Sequence, residues 1–133
     1  MLKLEIVTPE KRILDAEVDS VTVPTATGEA GILPNHAPLI STLKPGILAY
    51  TAKGTTDKLA VTGGFLEVND NKVAVLADSA ETPDEVNVEA AKAERESAEK
   101  ELIAHAMAPV EQTEAIRERI ESANVKLHLA AGK

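Results

Sequence analysis

The chain contains no cysteine and no tryptophan, and only one tyrosine and one phenylalanine. Without cysteine there is no disulfide framework and no thiolate chemistry, which suits a reducing compartment. With Tyr50 and Phe65 as the whole aromatic complement, a core must be built from Val, Ile, Leu and Ala. Basic residues are also scarce: 14 Lys and Arg stand against 22 Asp and Glu, a formal charge of −8. Non-specific nucleic-acid binding needs cations to neutralise phosphates, so this balance argues against a nucleic-acid partner. It argues equally against adhesion to an anionic membrane surface. No apolar run approaches the ~20 residues of a membrane-spanning helix, and strand-like alternation begins at Leu2, where a leader peptide would be uniform. The expectation is a soluble chain with no direct membrane insertion.

Signs of catalysis are missing too. Gly28-Glu29-Ala30-Gly31 lacks the following Lys and Ser/Thr that make a phosphate-binding loop. His36, His105 and His128 are far apart, and none sits in a metal-ligand spacing. His105 and His128 could approach one another if the helices described below close on each other, but solvent-exposed helix histidines are the plainer reading. Asp15, Glu17 and Asp19 alternate and should face water together. Nothing marks a buried carboxylate for acid–base work. No catalytic, cofactor-binding or metal-ligating residue is assigned.

What is present falls into two halves with different periods, as expected for one domain with an appendage at 133 residues. Up to about Asp84 the period is two. Leu2, Leu4 and Ile6 alternate with Lys3, Glu5 and Val7. Residues 17–23 place Val21 and Val23 on one face, with Val18 displaced by one step as at a bulge. Further strands are expected over 46–51, 59–62, 65–68 and 72–76. Turn chemistry divides them at Lys44-Pro45-Gly46, Lys53-Gly54 and Asn69-Asp70-Asn71. Short strands with turns at roughly ten-residue spacing predict a sandwich or small barrel. Gly63-Gly64 interrupts an otherwise good strand and predicts a bend, a bulge or a close backbone approach.

After Asp84 the period is helical. Thr82-Pro83-Asp84-Glu85 fits a capping box, and Asn87 is a competing N-cap. A first helix is expected from Val88 to Ala104, with a mostly alanine stripe (Val88, Ala91, Ala98, Leu102, Ala106) interrupted by Arg95. His105 to Pro109 breaks it. A second helix over 110–129 gathers Ile116, Ile120, Ala123, Leu127 and Ala130 within a band about 80° wide. Arg119, Lys126 and Lys133 flank that band, while Glu114, Glu118 and Glu121 lie opposite, with Val125 unexplained among them. Two such helices make an antiparallel hairpin. At about 25 cal/mol per Å² an alanine stripe contributes little burial, so the hairpin should be marginal and separable.

Between two strand-like runs lies Thr27-Gly28-Glu29-Ala30-Gly31-Ile32-Leu33-Pro34-Asn35-His36-Ala37-Pro38-Leu39. Its glycines and prolines are too turn-rich for a helix, and its apolar residues are too many for a disordered loop. It should be a rigid corner presenting Glu29 and His36 outward. An ordinary sandwich corner would read the same way.

This segment resembles the signature of the epsilon subunit of F-type ATP synthases, bacterial or chloroplast. So do the opening Met1-Leu2-Lys3-Leu4-Glu5-Ile6-Val7-Thr8-Pro9, the run Gly63-Gly64-Phe65-Leu66-Glu67-Val68 and the Ala/Glu/Lys-rich tail. The resemblance covers essentially the whole chain. It implies an α+β fold: a β-sandwich over 1–84 contacting rotor partners, then a regulatory helical hairpin over 85–133. It implies a non-catalytic rotor subunit without a cofactor, monomeric in isolation, coupling the c ring to the catalytic head through the gamma subunit. Carried over, Glu29, Gly31 and His36 would meet the c-ring loops. The hairpin, extended, would inhibit ATP hydrolysis by engaging the catalytic alpha and beta subunits, with Arg119, Lys126 and Lys133 as the contact. A solvated rim beside the hairpin seam is the alternative for those three. The implied location is the cytoplasmic face of a bacterial cell membrane, or the stromal side of a thylakoid.

Some bacterial members of that family bind ATP through an Ile/Leu-Asp-x-x-Arg-Ala motif. Here the matching stretch is Val86-Asn87-Val88-Glu89-Ala90-Ala91, without the aspartate and the arginine, which implies weak or absent ATP sensing. Two rival classes remain: a sandwich binding module that dimerises through the Ile116 to Leu127 stripe, and a small hydrolase using Glu29 and His36 beside a pocket.

Overall fold

A computed structural model describes residues 1–132. Eight strands, β1 (Leu2–Val7), β2 (Arg12–Val18), β3 (Ser20–Thr25), β4 (Gly28–Ile32), β5 (Leu39–Thr42), β6 (Gly46–Ala52), β7 (Thr55–Asn69) and β8 (Lys72–Glu81), precede helices α1 (Val88–Ala104) and α2 (Val110–Ala131). The hydrogen-bonded order is β2-β1-β8-β7-β6-β3-β4, with β5 also on β7. Strands β1 and β8 run parallel.

The long strand β7 turns this path into two layers. Gly63 and Gly64 have φ of +55° and +104°, left-handed values that β-carbon-bearing residues resist. Before this bend β7 pairs with β6; after it β7 pairs with β5. Strand β8 backs both parts. The expected bend is thus a hinge of the architecture. Leu2, Leu4, Ile6, Leu66, Val73 and Val75 meet Val21, Val23, Ile32, Leu48, Leu59 and Val61 in an aliphatic core whose buried members all lie between Leu2 and Ala77.

Two local readings resolve differently from expectation. The displaced Val18 marks the end of β2, not a bulge in one run. At Asp19 the chain changes neighbours: its N–H donates to the Thr51 carbonyl (2.7 Å), and its carboxylate accepts from the Lys53 N–H (3.1 Å). Strands β2, β4 and β5 were not anticipated. Half of the Gly/Pro corner is β4, in register with β3 from Val21↔Ile32 to Thr25↔Gly28. As an edge strand it tolerates glycine.

Helix α1 has the expected bounds, and α2 runs two residues past the expected 129. Both capping signals are used. The Asn87 side chain accepts from the Ala90 N–H (3.0 Å) and caps α1. One turn earlier, the Glu85 carboxylate accepts from the Thr82 N–H (3.0 Å) and closes a turn ahead of the helix. The helices pack through small residues: Ala91, Ala98 and Ala123 are buried. Helix α2 also lies against β6 and β7. It therefore needs a second apolar side, which explains Val125: half-buried, it sits one turn from buried Leu129, which lines a cleft together with Ile47, Tyr50 and Leu59.

Candidate functional site

The corner behaves as a stiff edge. The Thr25 hydroxyl donates to the Gly28 carbonyl (2.5 Å) and closes the β3–β4 turn, where Gly28 has φ +122°. Ala30 and Ile32 turn inward while Glu29 and Gly31 share the exposed face of β4. Gly31 has no positive φ, and a Cβ added there would meet nothing within 4 Å. Nothing inside the chain requires glycine at that position, so the open backbone is available to an approaching surface. His36 follows in the next turn, half-buried: its N–H reaches the Leu33 carbonyl (3.2 Å), and its Nδ1–H donates to the Ala37 carbonyl (2.6 Å). The turn is pinned to the β7–β8 turn, where the Asn35 N–H donates to the Asn71 side chain (2.6 Å). Glu29 and Gly31 are brought together, and His36 lies beyond the end of their strand. Neither Glu29 nor His36 lines the main clefts among the described residues.

The three basic residues expected to meet the catalytic subunits have separate situations. Arg119 reaches α1, pairing with Glu94 (2.6 Å) and with Glu101; the hydrogen bond it donates to Glu94, then that to Glu101, raises its pKa above the ordinary arginine value. Lys126 crosses to the sandwich and pairs with Glu81 at the end of β8 (2.9 Å). Lys133 lies outside the described residues. Between hairpin and sandwich runs a cleft of about 580 Å³ bordered by Asp78, Glu81, Glu94, Glu118, Arg119 and Lys126. His105 lies at the hairpin tip beside Val110, whereas His128 lies at the other end near Tyr50. The closed hairpin therefore separates these two histidines.

A third surface escaped the sequence reading. Ile40 (75% exposed), Phe65 (57%) and Leu76 (51%) occupy neighbouring strands: Phe65 pairs with Leu76, and Ile40 on β5 lies opposite Glu67, two residues along β7 from Phe65. The available signal was phase. Leu66 and Val68 are core residues, so Phe65, the only phenylalanine, must point outward.

Residues 1–83 match the family model of the beta-sandwich domain of the ATP synthase delta/epsilon chain. The ATP synthase epsilon chain of Carboxydothermus hydrogenoformans is 52% identical over 101 residues, 76% of this chain and 75% of that protein. That of Geotalea uraniireducens is 42% identical over 131 residues, 98% and 94% of the two chains, so the likeness extends through the helices. Among solved structures, a chain of the Euglena gracilis mitochondrial ATP synthase (OSCP/F1/c-ring) superposes with a TM-score of 0.74 at 28% identity, covering 99% of this chain and 81% of that one. The chain therefore belongs to the ATP synthase delta/epsilon family: it is a non-catalytic central-stalk component, not one of the catalytic subunits.

Proposed function

We propose that the two parts of the chain divide the work of a rotor subunit. The sandwich, within 1–84, binds the gamma subunit and rests on the c ring; the hairpin, 85–133, regulates ATP hydrolysis. The observation that carries this is the bare apolar strip Ile40–Phe65–Leu76 on the same stiff slab as the Glu29 and Gly31 edge. Burying such a strip against a shaft releases water from a surface that is otherwise charged, and apolar anchors of this kind dominate interface energies. Glu29, Gly31 and His36 meet polar loops of the c ring. Arg119, Lys126 and Lys133 meet acidic surface on the catalytic alpha and beta subunits when the hairpin extends. The chain is a monomer in isolation and belongs to a complex on the cytoplasmic face of a bacterial cell membrane, the reading favoured by its bacterial relatives over a thylakoid.

The test is Phe65→Glu combined with Leu76→Glu. Both side chains are exposed, so the sandwich should keep its fold. Affinity for gamma should fall roughly 30-fold or more, the scale of a lost interface anchor. Unchanged affinity would overturn the assignment of this face.

A further inference from the structure

The hairpin is fastened at two places of different character. Along the seam between α1 and α2, Ala91 (5% exposed), Ala98 (0%) and Ala123 (2%) are buried. Arg119 clasps Glu94 and Glu101, and Arg95 donates to Asn124 (3.3 Å). Between hairpin and sandwich the packing is thinner. The cleft of about 580 Å³ intervenes, and across it the pair Lys126–Glu81 (2.9 Å, about 30% exposed on each side) stands beside buried Leu129.

We propose that the hairpin leaves the sandwich as a closed pair, released by opening Lys126–Glu81, before α1 and α2 part. Glu81 acts as an internal stand-in for an acidic partner. While it holds Lys126, that cation is unavailable; once it lets go, Lys126 is presented while Arg119 remains clasped within the hairpin. The order follows from the two junctions: the seam carries unexposed Ala98 and the ties Arg119–Glu94, Arg119–Glu101 and Arg95–Asn124, whereas the sandwich junction holds its Lys126–Glu81 pair at the edge of a cleft, and the junction with fewer ties opens at less cost. The role of Lys126 towards an acidic partner rests on the function proposed above; the order of opening does not.

Because the chain has no cysteine, paired spin labels can be placed on the full chain without competing thiols. Lys58→Cys with Ala106→Cys spans the junction between sandwich and hairpin. Lys92→Cys with Glu121→Cys spans the seam. All four sites are exposed. Glu81→Gln should raise the detached population seen by the first pair about two- to fivefold, the scale of one partly exposed ion pair, and leave the seam distance unchanged. Exchanging the charges, Glu81→Lys with Lys126→Glu, should restore the original junction distribution. A junction unaffected by Glu81→Gln, or a seam that broadens together with it, would overturn the proposal. These distances are read on the isolated chain, so failure to bind gamma or to inhibit hydrolysis would count against the proposed function and leave this result standing.

Discussion

Gly64 lies so close to the Leu76 carbonyl oxygen that a side chain on Gly64 would collide with the β8 backbone, and its φ of +104° is one that side chains resist. Its neighbour Gly63 has φ +55°, and a Cβ there would meet only the Asp78 side chain, which can swing away. Gly64→Ala should therefore cost about 2–4 kcal/mol, and Gly63→Ala about 1–2 kcal/mol. Chemical denaturation of the two variants checks this; equal losses would mean the close approach is not what fixes the bend.

The seam between the helices depends on alanine. Ala98 is fully buried, and no other residue with a β-carbon has a smaller side chain. Ala98→Leu should cost about 1–3 kcal/mol by overpacking and appear as lost hydrogen-exchange protection in α1 and α2. Strands β1 to β8 should keep their protection, because the helices contribute nothing to the aliphatic core. Loss of protection in the strands would show that the two parts unfold together.

How far such features were legible depended on the period of each segment. Helix α1 was readable to its end residues because Asn87 caps it and His105 to Pro109 stop it. The β1 strand was readable because Leu2, Leu4 and Ile6 alternate without interruption. Strand β4 was not: Gly28, Ala30 and Gly31 carry too little side chain to display alternation, and its pairing is set by β3. Phe65 and Leu76 look like core residues by composition, and only the register of β7 against β8 turns them outward. The engagement of Arg119 and Lys126 was invisible for a different reason. Their partners Glu94, Glu101 and Glu81 lie 18 to 45 positions away, and only the closed hairpin brings them together.

Acid should loosen the turn before α1. The Thr82 N–H, and then a second Thr82 hydrogen bond, hold the Glu85 carboxyl below its ordinary value of 4.5. A lowered folded pKa means that the charged form is favoured by folding. Its stabilisation is complete above the ordinary value and is lost as pH falls through the lowered one. The protection factor of the Thr82 amide, its exchange rate referred to the intrinsic rate at each pH, should fall on acidification through this range, and Glu85→Gln should remove that dependence. Identical profiles for both chains would contradict the assignment.

Nucleotide should bind poorly to the isolated chain. Asn87 spends its side-chain oxygen on the Ala90 N–H. In the cleft beside it, Arg119 and Lys126 are already paired and stand among the carboxylates of Asp78, Glu81, Glu94 and Glu118. A triphosphate would have to displace those pairs and face the remaining negative charge. Calorimetric titration with ATP should show no binding in the micromolar range; a micromolar site would contradict this.

The division of labour is tested by removing the hairpin. The buried core ends at Ala77, so a chain stopped after Asp84 keeps the whole aliphatic core of the sandwich and loses the contacts that α2 makes with β6, β7 and Glu81. Reconstituted with gamma and the catalytic head, both the full chain and the shortened one should bind gamma, and only the full chain should slow ATP hydrolysis. Equal inhibition by the two chains, or a shortened chain that folds and fails to bind gamma, would contradict it.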